Sequence, residues 1–211
     1  MIKKLRVAVD QGNRNMKTCN HVFTTGLTEM DKKPARGEVY LRYQDKYYTL
    51  SERRIPYQRD KTTDFRFFIL TLFAIVMELE DKTPIQPEDV IQIELPIGLP
   101  PKHYKELYDK YEKYFKGDGK VFQVEYCGRE YHLCMKEDLA AMMTKMDKIG
   151  EAPKAVGIDI GGFTTDYLLL RRGKPDMDYC DSLEKGIITM CNEIISKVNS
   201  EYDMLLEEID V

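Results

Sequence analysis

Paired cysteines are missing from this 211-residue chain. Its five, Cys19, Cys127, Cys134, Cys180 and Cys191, are odd in number, scattered, and include no C-x-x-C pair. That pattern argues against a secreted disulfide framework. A zinc site is disfavoured too, because the three histidines are isolated and only His132 falls near a cysteine. Ordinary reduced thiols and a cytoplasmic address follow. A strong charge of either sign is also lacking: the formal net charge is -4, which gives no electrostatic case for nucleic acid or a membrane as a direct ligand. No long apolar run is present. The greasiest stretch, Phe65–Leu79, is interrupted by Arg66 and leads into Glu78, Glu80 and Asp81, so it reads as a buried helix rather than a membrane span. The basic start, Met1–Arg6, is followed by just Val7-Ala8-Val9, too few apolar residues for a signal peptide. Low-complexity sequence is absent.

What is present alternates between strand and helix patterns. Ile2–Val9 is an apolar strand, Gln11–Asn15 a polar glycine-bearing turn, and Met16–Phe23 a returning run, which together suggest a hairpin. The tyrosine-rich Gly37–Leu50 alternates as strands do. Ser51–Asp64 is polar, and Asp64 or Thr63 is placed to cap a helix over Phe65–Glu80. Further strands are expected at Asp89–Leu95, Val121–Tyr126, Glu130–Met135, Ala155–Ile160 and Tyr167–Arg171. Further helices are expected at His103–Phe115, Asp138–Ile149, and from Ile187 to Val198, with a last helical segment at Tyr202–Ile209. An α/β fold with a mixed sheet follows.

One pattern occurs twice: strand, Asp-x-Gly, turn, strand, at Val7–Thr18 and again at Val156–Leu168. In the second copy an apolar strand delivers Asp159, then Gly161 and Gly162 let the backbone turn with no side chain in the way. Their N–H groups, with those of Phe163 and Thr164, can form a concave nest for phosphate oxygens. Asp159 suits a hydrated Mg²⁺. In the first copy Asp10 ends a strand, Gly12 permits the turn with Asn13 and Asn15, and Lys17 begins the return with an ammonium for phosphate. A single such turn is also what an ordinary hairpin looks like. Two, each after an apolar strand, describe a pair of loops able to clamp a nucleotide.

Asp10-Gln11-Gly12-Asn13-Arg14-Asn15-Met16-Lys17 and Asp159–Asp166 resemble the two phosphate motifs of the superfamily of actin, Hsp70 and the sugar kinases. Within it, they resemble those of bacterial actin-like plasmid-segregation proteins of the ParM type. Leu95-Pro96-Ile97-Gly98-Leu99 with Tyr104 is similar to the family's G-L-P segment, with Glu94 where a glycine is usual. Met135-Lys136-Glu137 resembles its M-P-E, with lysine replacing proline and Glu137 at the family's spacing before Asp159. Gly186, opening the next helix, resembles the segment that follows.

The resemblance implies an actin-like ATPase (ribonuclease H-like) fold, with mixed sheets flanked by helices. It implies a first domain over 1–150 with a small inserted subdomain near 36–64, and the start of a second, incomplete domain over 151–211. It implies binding of ATP (or GTP) with Mg²⁺ on Asp10 and Asp159. Gly12, Asn13, Asn15, Lys17, Gly161, Gly162, Phe163 and Thr164 would hold the nucleotide, and Glu137 with Asp159 would serve hydrolysis. Filament protomers and a DNA-binding adaptor of a segregation system are the implied partners. The glycine-rich adenosine motif of the family does not appear before Val211, so either a shortened natural protein or a truncated piece is expected. A small-molecule kinase of the same superfamily is the alternative, together with a non-catalytic module whose nucleotide site is open. The basic run Arg53, Arg54, Arg59 and Lys61 reads as a solvated loop or a protomer contact.

Overall fold

The computed structural model describes residues 2–82, 85–99, 104–137 and 152–207, with backbone alone at Lys82, Tyr104, Lys105, Asp118, Lys136 and Glu137. The expected helix Asp138–Ile149 lies outside the described residues. The chain forms two compact units, one of Met1–Leu99 with His103–Met142, the other of Pro100–Lys102 with Met143–Val211.

The first unit is built on one helix. Helix α1 (Phe65–Lys82) is buried without interruption from Phe67 to Val76, as a helix apolar all round must be. Its N-terminus is capped by Asp64, whose Oδ1 accepts from the Arg66 N–H at 3.0 Å. No helix among the described residues is long and apolar enough to cross a membrane. Three parallel strands form one side of the main sheet: β1 (Ile2–Arg6), then β8 (Val90–Leu95), then β10 (Arg129–Glu137). Period-two alternation puts Ile91, Ile93, Tyr131, Leu133 and Met135 into the core.

Antiparallel strands complete that sheet, in the order β1-β8-β10-β9-β6-β7-β5, with β9 (Val121–Tyr126), β6 (Leu41–Tyr43), β7 (Lys46–Leu50) and β5 (Leu27–Met30). Residues 36–64 thus add two strands to the same sheet. Helix α2 (Tyr104–Lys116) lends Leu107, Tyr111 and Phe115 to the continuous core cluster of this unit. Burial of each such side chain contributes about 1.5–3 kcal/mol. It also raises the phenol pKa of Tyr111, whose charged form would be desolvated.

Two expectations are corrected here. The first apolar strand does not pair with the returning run: β1 lies parallel to β8, and Val7 and Val9 carry on alongside, donating to Glu94 O at 2.9 Å and Pro96 O at 3.0 Å. The returning run Met16–Phe23 is broken in two, β3 (Asn15–Lys17) and β4 (Val22–Thr24), which pair antiparallel about a turn. The turn is closed locally, with Thr18 N–H donating to His21 O at 2.8 Å, and is anchored by Glu78 of α1. Its buried carboxylate accepts from Thr18 Oγ1 (2.6 Å), Asn20 N (2.8 Å) and Asn20 Nδ2 (3.0 Å), which holds the turn against the helix.

In the second unit β11 (Lys154–Ile160) and β12 (Thr165–Arg171) form a hairpin. Two short strands, β13 (Lys174–Pro175) and β14 (Asp181–Leu183), pair with β12. Helix α3 (Ile187–Tyr202) follows. The helical segment expected at Tyr202–Ile209 is not formed over 203–207. Asp203 takes a left-handed conformation (φ 52°) and ends α3. The Asn199 carboxamide then brackets the backbone of Leu206, at 2.8 Å and 3.0 Å.

Candidate functional site

The first Asp-x-Gly loop sits where the parallel strands finish. Asp10 follows the end of the run that continues β1. Val9 is bridged to Ile97 in the Leu95–Leu99 segment, and Glu137 closes β10 in register with Leu95. All three sequence features therefore meet at the carboxyl end of one parallel ladder, the edge where open α/β sheets bind ligands. Glu137 is placed there by its backbone.

Asp10 and Gln11 form β2 (Asp10–Gln11), which pairs antiparallel with β3 so that Asp10 faces Lys17. Their exposed side chains meet, Lys17 Nζ to Asp10 Oδ2 at 3.2 Å. Gly12 is required by space: a Cβ there would lie 2.5 Å from the Asn15 carbonyl oxygen. The turn is tied down from outside. Buried Thr25 donates its hydroxyl to Gly12 O at 2.7 Å, and its N–H to Arg14 O at 2.9 Å. Asn13 Oδ1 accepts from the Gln58 N–H at 3.0 Å, so that carboxamide oxygen faces the loop 51–64 in this structure. Asn15 pairs with Thr24 in the β3–β4 ladder. Lys61 Nζ donates to Gln11 O. The Gln11 side chain points inward, 2% exposed, and donates to Thr71 Oγ1 of α1 at 2.6 Å.

These supports were not visible in the motif. Thr25, Gln58, Lys61 and Thr71 are distant in sequence, and nothing local marks them. The basic loop is also more than a solvated run, since Lys61 and Gln58 hold the Asp10 loop. Next to them Asp60 accepts from Thr62 and from Lys110 (3.1 Å). Burial pushes its carboxyl pKa up, but these donors outweigh it and hold the pKa below the usual value.

The second loop has the same plan in a tighter form. Ile160 pairs with Thr165, and Gly161 N–H donates to Thr164 O at 2.8 Å, closing the turn over Gly161, Gly162, Phe163 and Thr164. Asp159 stands opposite Asp166 across the hairpin. Asp159 is exposed and Asp166 buried, with Thr164 Oγ1 donating to Asp166 Oδ2 at 3.3 Å. Helix α3 starts against this turn. Ile187 N–H donates to Gly161 O at 3.0 Å and Ile188 N–H to Gly162 O at 2.8 Å. In a trans peptide the C=O and N–H point opposite ways, so the N–H groups of Gly162 and Phe163 are directed away from the helix. That is the orientation a phosphate nest needs.

No protein-family model and no curated protein matches this chain. Solved structures do. An archaeal actin homolog, also solved in complex with ADP, superposes with a TM-score of 0.73 at 15% identity, covering 96% of this chain and 68% of its own. The apo psk41 ParM protein gives 0.68 at 16% identity, covering 93% and 71%. An AlfA filament bound to AMPPNP gives 0.66 at 15% identity, covering 96% and 78%. At these identities the likeness establishes architecture, and the conclusion is plain: the chain has an actin-like α/β fold, shared with the archaeal actin homolog, with ParM and with the AlfA of the filament structure.

Proposed function

We propose that this chain is an actin-like nucleotide-binding protein that hydrolyses ATP and assembles into filaments, in service of segregating a plasmid or similar DNA element. One observation carries the nucleotide reading: the Gly161 and Gly162 carbonyls are tied back to α3, which turns the Gly162 and Phe163 amides the other way. The first loop is a comparably tight turn, closed at Gly12, where a Cβ would strike the Asn15 backbone. The neighbours with ADP and AMPPNP are consistent with the nucleotide reading.

In this reading Lys17 and the two turns hold the phosphates, with Gly12, Asn13 and Asn15 shaping one turn and Gly161, Gly162, Phe163 and Thr164 the other. Asp10 and Asp159 would hold a hydrated Mg²⁺, which would neutralise phosphate charge. Glu137 orients the attacking water in line with the γ-phosphate and accepts its proton. ATP is favoured over GTP by the neighbours solved with AMPPNP and with ADP. Self-association is supported by the filament neighbour. The DNA-binding adaptor rests on the sequence resemblance, and the cytoplasmic address on the scattered cysteines.

Isothermal calorimetry with ATP and Mg²⁺, paired with ATP-dependent sedimentation, tests both halves. Binding and pelleting are expected of the wild type. The Glu137→Ala variant should bind ATP normally and lose most hydrolysis. Normal turnover in that variant would sink the assignment of Glu137, and absence of ATP binding in the wild type would sink the nucleotide reading.

A further inference from the structure

Gly186 immediately precedes α3 as its N-cap, with φ −111° and ψ −174°. Any residue adopts that extended backbone, so conformational freedom does not explain a glycine here. Nor does capping, since Ser, Thr, Asp or Asn would accept from the first turn and glycine cannot. The cap hydrogen bond runs the other way, from Gly186 N–H to Thr189 Oγ1 at 2.8 Å.

What does explain it is contact. A Cβ on Gly186 would lie 2.5 Å from Gly162 C, from Gly162 O and from Phe163 N, all three backbone atoms of the second phosphate loop. No flexible side chain is available to move aside. The bare Cα lets α3 approach closely enough for Ile187 and Ile188 to hold the carbonyls of Gly161 and Gly162, at 3.0 Å and 2.8 Å. Those N–H groups belong to a helix N-terminus, where they lack intrahelical partners. The loop carbonyls satisfy them, and the peptide planes of the loop are fixed in return.

We infer that Gly186 is the positioning residue of the Gly161–Thr164 loop: its missing side chain lets the first turn of α3 set the direction of the Gly162 and Phe163 amides, and through them the loop's grip on phosphate. This rests on the nucleotide reading for its ligand, but the positioning itself does not. The relay also joins the loop to a helix whose Ile187, Met190 and Ile194 are exposed.

The test uses the full chain, wild type and two variants, Gly186→Ala and Thr189→Val. Amide hydrogen exchange and backbone resonances are read without ligand, and binding is read with ATP–Mg²⁺ against adenosine. Gly186→Ala should speed exchange at Ile187 and Ile188 at least tenfold relative to the middle of α3, and shift the Gly162 and Phe163 resonances. It should weaken ATP at least tenfold while leaving any adenosine affinity unchanged, a split that general loosening would not give. Thr189→Val, which keeps the close approach and removes only the cap, should show the same pattern in milder form. Unshifted Gly162 and Phe163 resonances, or wild-type ATP affinity in a folded Gly186→Ala protein, would overturn the inference. If the wild type does not bind ATP, the proposed function fails, and the exchange and resonance arm alone decides the positioning role.

Discussion

Val7-Ala8-Val9-Asp10 and Val156-Gly157-Ile158-Asp159 carry the same apolar–small–apolar–carboxylate pattern and open the same kind of loop, yet their surroundings are opposite. Val7 and Val9 are 1% and 2% exposed, whereas Val156 and Ile158 are each 65% exposed. In the first unit the strand gains a parallel neighbour in β8 and belongs to the cluster around α1. In the second, β12 is the strand neighbour of β11 among the described residues, and the side of the sheet with Val156, Ile158 and Ile160 is left exposed. The pattern specifies a loop. Whether its strand is also a core strand depends on what the rest of the chain brings to it.

The sharpest way to break this contrast is a matched pair of double substitutions, followed by denaturant unfolding with far-ultraviolet circular dichroism. Removing two buried valines in Val7→Ala/Val9→Ala should cost about 4 kcal/mol, from lost transfer energy plus cavity. The equivalent Val156→Ala/Ile158→Ala should stay within about 1 kcal/mol, as surface changes do. A large loss in the second pair would show that the β11 face is covered in solution.

Smaller effects are expected at the equivalent loop glycines. Gly12→Ala places a Cβ 2.5 Å from Asn15 O, and Gly161→Ala places one 3.2 Å from Thr164 O. The first should cost roughly 1–3 kcal/mol as an overpacking change and the second less. Equal losses in thermal melts would mean that the two turns are alike despite their different supports.

Smallest, and confined to acid, is a device found in the first unit. Asp89, just before β8, is held by Lys3 of β1 at 2.8 Å and by the Gln86 N–H at 3.1 Å. These contacts lower its carboxyl pKa to about 2. A folded-state pKa below the unfolded value contributes stability that is complete above about pH 4, and that is lost as pH falls toward 2. Asp89→Asn should flatten the acid dependence of melting in that window and leave it unchanged above. An unchanged acid limb would remove Asp89 from the account.

The glycines and aspartates of both loops, the apolar character of α1, the Asp64 cap and most strands are legible because each is a local matter of period, turn chemistry or capping. The hairpin Val121–Tyr126 with Arg129–Glu137 turns on Cys127-Gly128, where both residues have positive φ (50° and 90°). A glycine marks that turn. Gln44-Asp45 does the same for β6–β7 (49° and 62°) without any glycine, and so left no comparable sign. The break at Thr18–His21 was hidden as well. It is anchored by Glu78, sixty positions from Thr18, and apolar alternation around the turn reads as one strand.

By itself the sequence determined two Asp-x-Gly turns after apolar strands, a central apolar helix and an α/β alternation, since short-range sterics and periodicity suffice for these. Tertiary structure alone decided that Val7 and Val9 are core while Val156 and Ile158 are surface. It alone decided that β1 pairs with β8 rather than with its own returning strand. It alone supplied Gln58, Lys61 and Thr25 to one loop and the first turn of α3, across Gly186, to the other. Hydrogen bonds and close backbone approaches between distant residues are properties of packing, and no window of sequence contains both partners.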